Sequence, residues 1–115
     1  MRSIMTFNRW DIVLLPFPFT NLKAVKKRPA LVVSPEKYNS GSDLLVMFMT
    51  SNLKAKPKLG DYIITEWEES GLPKPSMTRM KFATIDKTLA IKKIAELTDS
   101  DIVALKLKLR DFFGL

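Results

Sequence analysis

Apolar residues along this chain fall into short runs separated by Pro, Gly and Lys-rich breaks, and most runs have the length of strands. Residues 10–16 (WDIVLLP) form the first, rich in β-branched and apolar side chains and ended by a proline that cannot donate to a ladder. A connection from Phe17 to Lys27 follows, in which Pro18 restricts Phe17 to extended backbone. Residues 28–34 (RPALVVS) predict a second strand, with Pro29 at its start, where a missing N–H is tolerated, and Pro35 beyond its end. After a turn at 39–42, residues 43–50 (DLLVMFMT) are almost continuously apolar, which predicts a central strand covered on both faces. A Lys-rich connection over 51–60 leads to an exposed strand over 61–67 (DYIITEW) and a loop over 70–75. Residues 76–85 (SMTRMKFATI) predict a further strand, and 90–94 a short one after the turn at Asp86, Lys87 and Thr88.

Helical spacing governs the last element. Thr98 can cap it, and Asp99 and Asp101 set negative charge against the unpaired N–H groups of its first turn. Ile102, Leu105, Leu109 and Phe112 recur at spacings of three and four, making one apolar stripe that belongs to the core or to a subunit contact, and Gly114 closes the helix. Strands followed by one terminal helix predict a mainly β (α+β) domain over residues 1–115: a small, curled, mostly antiparallel sheet with the helix packed on it.

Composition narrows the chemistry. The 115 residues are 46% hydrophobic and 27% charged, which fits a globular domain. With no Cys and no His, disulfides, thiolate zinc sites, Ser-His-Asp and Cys-His arrangements and a two-histidine ribonuclease are all impossible. Four glycines form no phosphate-binding loop. Any catalysis therefore uses Arg, Lys, Asp, Glu, Ser, Thr or Tyr. The longest uncharged stretch, 12–22, contains two prolines and is far shorter than the roughly 20 residues of a membrane-spanning helix. A cytoplasmic protein with no membrane association is expected. A net charge of +7 implies an electropositive face for a polyanion or an acidic partner, or solubility alone.

Three clusters could act on a phosphate. Lys26, Lys27 and Arg28 stand at the mouth of the 28–34 strand, where a guanidinium can grip a phosphate through two parallel hydrogen bonds, or where the cations protect a sheet edge. Thr50, Ser51 and Asn52 end the most apolar strand and either bond a phosphate or ribose or initiate a turn. Strict alternation over 76–81 places Ser76 and Thr78 on one side and Arg79 on the other unless a bulge re-aims it. Phe17, Phe19, Tyr62 and Trp67 are either stacking partners for bases or core.

The succession WDIVLLPFPFT, KKRPALVVS, VMFMTSN, LPKPSMTRMKFATIDK and ELTDSDI with a closing helix resembles the MazF/PemK family of toxins from type II toxin–antitoxin systems, over almost the whole chain. The resemblance implies a small SH3-like or CcdB-like β-barrel that works as a homodimer. It also implies a growth-inhibiting, sequence-selective endoribonuclease that cuts single-stranded RNA without metal or cofactor, leaving a 2′,3′-cyclic phosphate and a 5′-hydroxyl. Arg28 falls on the family's Arg of the R-P-x-L-V strand, where it would neutralise phosphoryl charge or donate to the leaving 5′-oxygen. Thr50 falls on the Thr ending the next apolar strand, where it would position the scissile phosphate. Lys23, Lys26, Lys27, Ser51, Asn52, Ser76, Arg79 and Lys81 would bind RNA. Some relatives carry an Asp two residues after the Arg matched by Arg79, where this chain has Lys81, so the proton acceptor is open, with Asp11 and Glu66 as candidates. The partner implied is an acidic antitoxin, through which alone the toxin would meet DNA. The alternative is the same fold as a non-catalytic RNA-binding module or a gyrase-poisoning toxin.

Overall fold

The computed structural model describes residues 6–17, 26–54 and 56–115. Six strands, β1 (Asp11–Phe17), β2 (Lys26–Val32), β3 (Asp43–Thr50), β4 (Tyr62–Ile63), β5 (Met77–Asp86) and β6 (Lys92–Glu96), form one sheet in the order β4-β5-β3-β2-β1-β6. All neighbours are antiparallel. Three helices, α1 (Glu36–Asn39), α2 (Trp67–Ser70) and α3 (Asp99–Phe113), and a 3-10 turn at Lys87–Leu89 make up the remaining elements among the described residues. The architecture is the mainly β, helix-terminated one expected from the pattern.

β3 is central for the reason its composition suggests. Its Leu44 and Val46 join Val13, Leu15, Ala30, Val32 and Ile85 in one buried cluster. Its Met47 and Met49 join Ile12, Leu31, Leu97 and Leu105 in a second cluster. Successive side chains of a strand point to opposite faces, so a strand with core on both sides must be apolar throughout. Helix α3 covers the second cluster through Ile102, Leu105 and Leu109. Gly114 ends it in the left-handed conformation, φ 71°. Phe112, expected in the same stripe, is 42% exposed.

Elsewhere the elements differ from the local pattern for identifiable reasons. The strand expected over 61–67 is only Tyr62–Ile63, because Asp101 of α3, fully buried, accepts the backbone N–H groups of Thr65 and Glu66, each at 2.9 Å, and the Tyr62 hydroxyl. Those N–H groups are bonded to a helix carboxylate, so pairing stops and Trp67 opens α2. Thr98 occupies the N-cap position of α3 but makes no side-chain capping bond; its hydroxyl donates to Glu66 instead. The stretch after Pro35 forms the short helix α1, held by buried Asn39, whose amide donates to the carbonyls of Phe7 and Ser34, both at 3.0 Å. β2 begins at Lys26, which puts Pro29 inside it rather than at its start. Pro29 is paired there with Leu14 of β1, while pairing with β3 begins only at Ala30. β6 starts two residues later than expected, the 3-10 turn capped by Asp86 having used the preceding stretch.

Candidate nucleic-acid interface

Strand register brings Arg28 and Thr50 to one place. β2 pairs with β3 as far as Ala30↔Phe48; beyond that pair, Arg28 on β2 and Thr50 on β3 each lie two residues further along, and both line the same hollow. On the other side of β2, Arg28 pairs with Leu15. Residues two apart share a face, so Arg28 and Thr50 continue the side that carries Ala30, Val32 and Val46. There the apolar core gives way to a hollow of about 340 Å³, where Arg28, Thr50, Arg79 and Lys81 join a floor of Leu15, Phe17, Ala30 and Phe48. An adjoining cleft of about 450 Å³ shares Arg28 and Thr50 and adds Lys26, Lys27, Ser51, Asn52 and Lys74.

A bulge interrupts the β3–β5 register beside the cations of β5. Met47 pairs with Phe82 and Met49 with Thr78, so two steps on β3 span four on β5. The even insertion keeps the alternation, so Arg79 and Lys81 lie on the side opposite Thr78 and Phe82, where both line the hollow. Ser76 and Thr78 are turned inward at 4% and 0% exposure, and the Ser76 hydroxyl donates to the Lys74 carbonyl at 3.0 Å. Ser76 lines neither the hollow nor the cleft. Lys23 and Phe19 lie outside the described residues.

Arg28, Thr50 and Arg79 are each oriented by a neighbour. The Arg28 guanidinium sits 4.6 Å over the ring of Phe17, itself 41% exposed. Thr50 Oγ1 accepts the Asn52 N–H at 3.1 Å, and Asn52 Oδ1 accepts the Lys54 N–H at 3.2 Å, so the polar triplet forms a turn whose residues face the cleft. A hydroxyl that accepts a backbone N–H keeps its own proton for donation. Arg79 is backed by Asp61 at 3.8 Å, whose carboxylate is 3% exposed and accepts the Lys58 N–H at 2.7 Å.

Carboxylates stay out of the lining itself. All twelve Asp and Glu of the chain fall within the described residues, and none lines the hollow or the cleft. Asp11 is buried at the other end of β1, accepting the Asn8 N–H at 2.8 Å with the Lys93 ammonium 3.3 Å away. Glu66 accepts the hydroxyls of Ser100 and Thr98, which hold it below the usual carboxylate range. Neither of these proton-acceptor candidates reaches Arg28 or Thr50. Tyr62 and Trp67 pack against the second core cluster, leaving Phe17 as the aromatic of the four that lines the hollow among described residues. Phe48, Lys74 and Asp61 were not singled out by the pattern. Only the alternation of Lys and Pro in LPKP marks Lys74 as exposed, and nothing local distinguishes Phe48 from its apolar neighbours.

The fold and this hollow define a small curled β-sheet protein with a cationic strand mouth. The chain belongs to the PemK-like, MazF-like toxins of type II toxin–antitoxin systems, whose sequence profile matches residues 8–113. No curated protein sequence matches it. Among solved structures, it is similar to MazF (Form-I) from Deinococcus radiodurans, with TM-score 0.72 and 21% identity over 97% of this chain and 100% of that one. A mycobacterial endoribonuclease in complex with its cognate antitoxin matches at TM-score 0.73 and 16% identity, covering 94% of this chain and 95% of that one. The Mycobacterium tuberculosis toxin MazF-mt6 matches at TM-score 0.72 and 20% identity over 91% and 97% of the respective chains. At these identities the likeness is one of fold. No helix among the described residues is long and apolar enough to cross a membrane.

Proposed function

We propose that this toxin-family chain is an endoribonuclease that cuts single-stranded RNA by attack of a ribose 2′-oxygen on the adjacent phosphorus, leaving a 2′,3′-cyclic phosphate and a 5′-hydroxyl. One observation carries the reading: a guanidinium and a threonine hydroxyl from adjacent strands open into one hollow whose charged lining is wholly cationic. Arg28 and Arg79 hold the non-bridging oxygens and offset the charge that develops on them, and Thr50 donates a hydrogen bond that fixes the phosphate. Phe17 and Phe48 offer ring faces to unstacked bases, and Lys26, Lys27 and Lys74 follow the backbone along the cleft. The lining offers no carboxylate to hold a divalent cation, which supports cleavage without one.

On this reading the protein acts in the cytoplasm as a homodimer, and an acidic antitoxin segment competes with RNA for the same cations, ordering as it binds. The mycobacterial relative solved with its cognate antitoxin supports that partner class. Purified protein mixed with a pool of single-stranded RNAs in EDTA should release discrete fragments. Arg28→Ala and Thr50→Ala should each reduce cutting at least about 100-fold, the loss typical of removing one transition-state donor, while retaining the wild-type circular dichroism spectrum. Normal cutting by both folded variants would dismiss the assigned site.

A further inference from the structure

Among the described residues that line the hollow, one side chain can exchange a proton. Arginine keeps its proton in proteins, a threonine hydroxyl does not ionise at working pH, and the remaining lining residues besides Lys81 are apolar. We propose that Lys81 is the general acid of the cleavage, a role that rests on the endoribonuclease reading above. As the 2′-oxygen forms its bond to phosphorus and the bond from phosphorus to the 5′-oxygen breaks, the Lys81 ammonium delivers its proton to the departing 5′-oxygen. Hydroxide from solvent takes the 2′-hydroxyl proton and becomes water. The Lys81 amine then regains a proton from water, which restores the hydroxide, so the balance closes on RNA alone. Lysine suits this task because its compact ammonium can both give and regain a proton, whereas the arginines beside it can only stabilise charge.

The surroundings agree with that division of work. The other charged groups of the described lining are Arg79 on the same strand and Arg28 from β2; β3 supplies Thr50, and β1 supplies Leu15, Pro16 and Phe17. The Asp61 carboxylate is engaged behind Arg79. With hydroxide as the acceptor, the cleavage rate should climb about tenfold per pH unit across the neutral range, where a carboxylate acceptor, already ionised, would give a flat profile.

The test is single-turnover cleavage of an RNA with a mapped cut site, by wild type, Lys81→Arg and Lys81→Met, on the natural linkage and on one with sulfur replacing the scissile 5′-oxygen. A thiolate leaves without protonation. Lys81→Arg, which keeps the charge, should retain RNA affinity and lose about 100-fold or more in rate on the oxygen substrate, yet cut the sulfur substrate nearly as fast as wild type. Oxygen-substrate rates for Lys81→Arg within threefold of wild type, equal losses on both substrates, or a flat wild-type profile would overturn the assignment. Failure of the wild type to cut either RNA would remove the endoribonuclease reading and this role with it, an outcome distinct from cutting that ignores Lys81.

Discussion

Asp101 is the buried charge on which the packing of α3 depends, and Asp101→Ala gives a severe test of that account. The residue is fully buried, and its carboxylate accepts the Tyr62 hydroxyl and the N–H groups of Thr65 and Glu66 while closing the first turn of α3. Alanine strands three donors. A buried donor left unmade costs about 1–3 kcal/mol. Thr65 is exposed and Tyr62 and Glu66 are half-buried, so water can reach these donors and the lower end applies. The sum is about 3 kcal/mol, with a few tenths more from losing a negative charge at a helix N-terminus. For a domain of this size that corresponds to a fall in Tm of roughly 10–15 °C. Asp101→Asn keeps one acceptor oxygen and should lose less. Urea and thermal unfolding followed by circular dichroism measure both. A loss below about 1 kcal/mol for the alanine variant would refute the claim that this carboxylate ends β4 and anchors α3.

Three further outcomes follow from other parts of the molecule. Thr78 is fully buried and its hydroxyl has no partner among the described residues, so Thr78→Val should raise stability by about 1 kcal/mol in urea unfolding; a loss would show that the hydroxyl is satisfied. Burial, and then the hydrogen bond to Asp101, hold the Tyr62 hydroxyl above its ordinary pKa. The unfolded chain therefore releases this proton first, stability falls as pH rises beyond about 10, and Tyr62→Phe should flatten that fall in pH-dependent melts. Six cations among the described residues, Arg28, Arg79, Lys81, Lys26, Lys27 and Lys74, line the hollow and cleft. If all meet phosphates, the log of RNA affinity should fall against log salt with a slope of roughly −4, and a slope near zero in a filter-binding titration would exclude the cleft as the RNA path.

What could be read from the sequence was what depends on local pattern. The unbroken apolar run of β3 demanded core on both faces, and the spacing of Ile102, Leu105 and Leu109 demanded a helix lying on a sheet. Arg28 and Thr50 each end an apolar run, so a strand mouth was a reasonable place to look, but their meeting depends on the β2–β3 register, which no single run encodes. The truncation of β4 was invisible because its cause, Asp101, lies 36 residues from Thr65. Alternation correctly grouped Ser76 with Thr78, yet could not tell that their shared side is the interior. The same alternation set Arg79 opposite Thr78, the side on which Arg79 and Lys81 line the hollow, but could not foresee the bulge beside them. Proximity of the acids to the site was equally unreadable: Asp11 and Glu66 are ordinary carboxylates in the sequence, and only the fold shows both engaged elsewhere.

The most direct measurement is made on the substrate. A single 2′-deoxy nucleotide is placed immediately 5′ of a mapped scissile phosphate in an otherwise unchanged RNA, and fragment ends are read by mass spectrometry. Cutting at that linkage should stop while other sites and RNA affinity are unaffected, and fragments from the unmodified RNA should carry a 2′,3′-cyclic phosphate. Continued scission at the deoxy position would show that water, and not the neighbouring ribose, attacks the phosphorus.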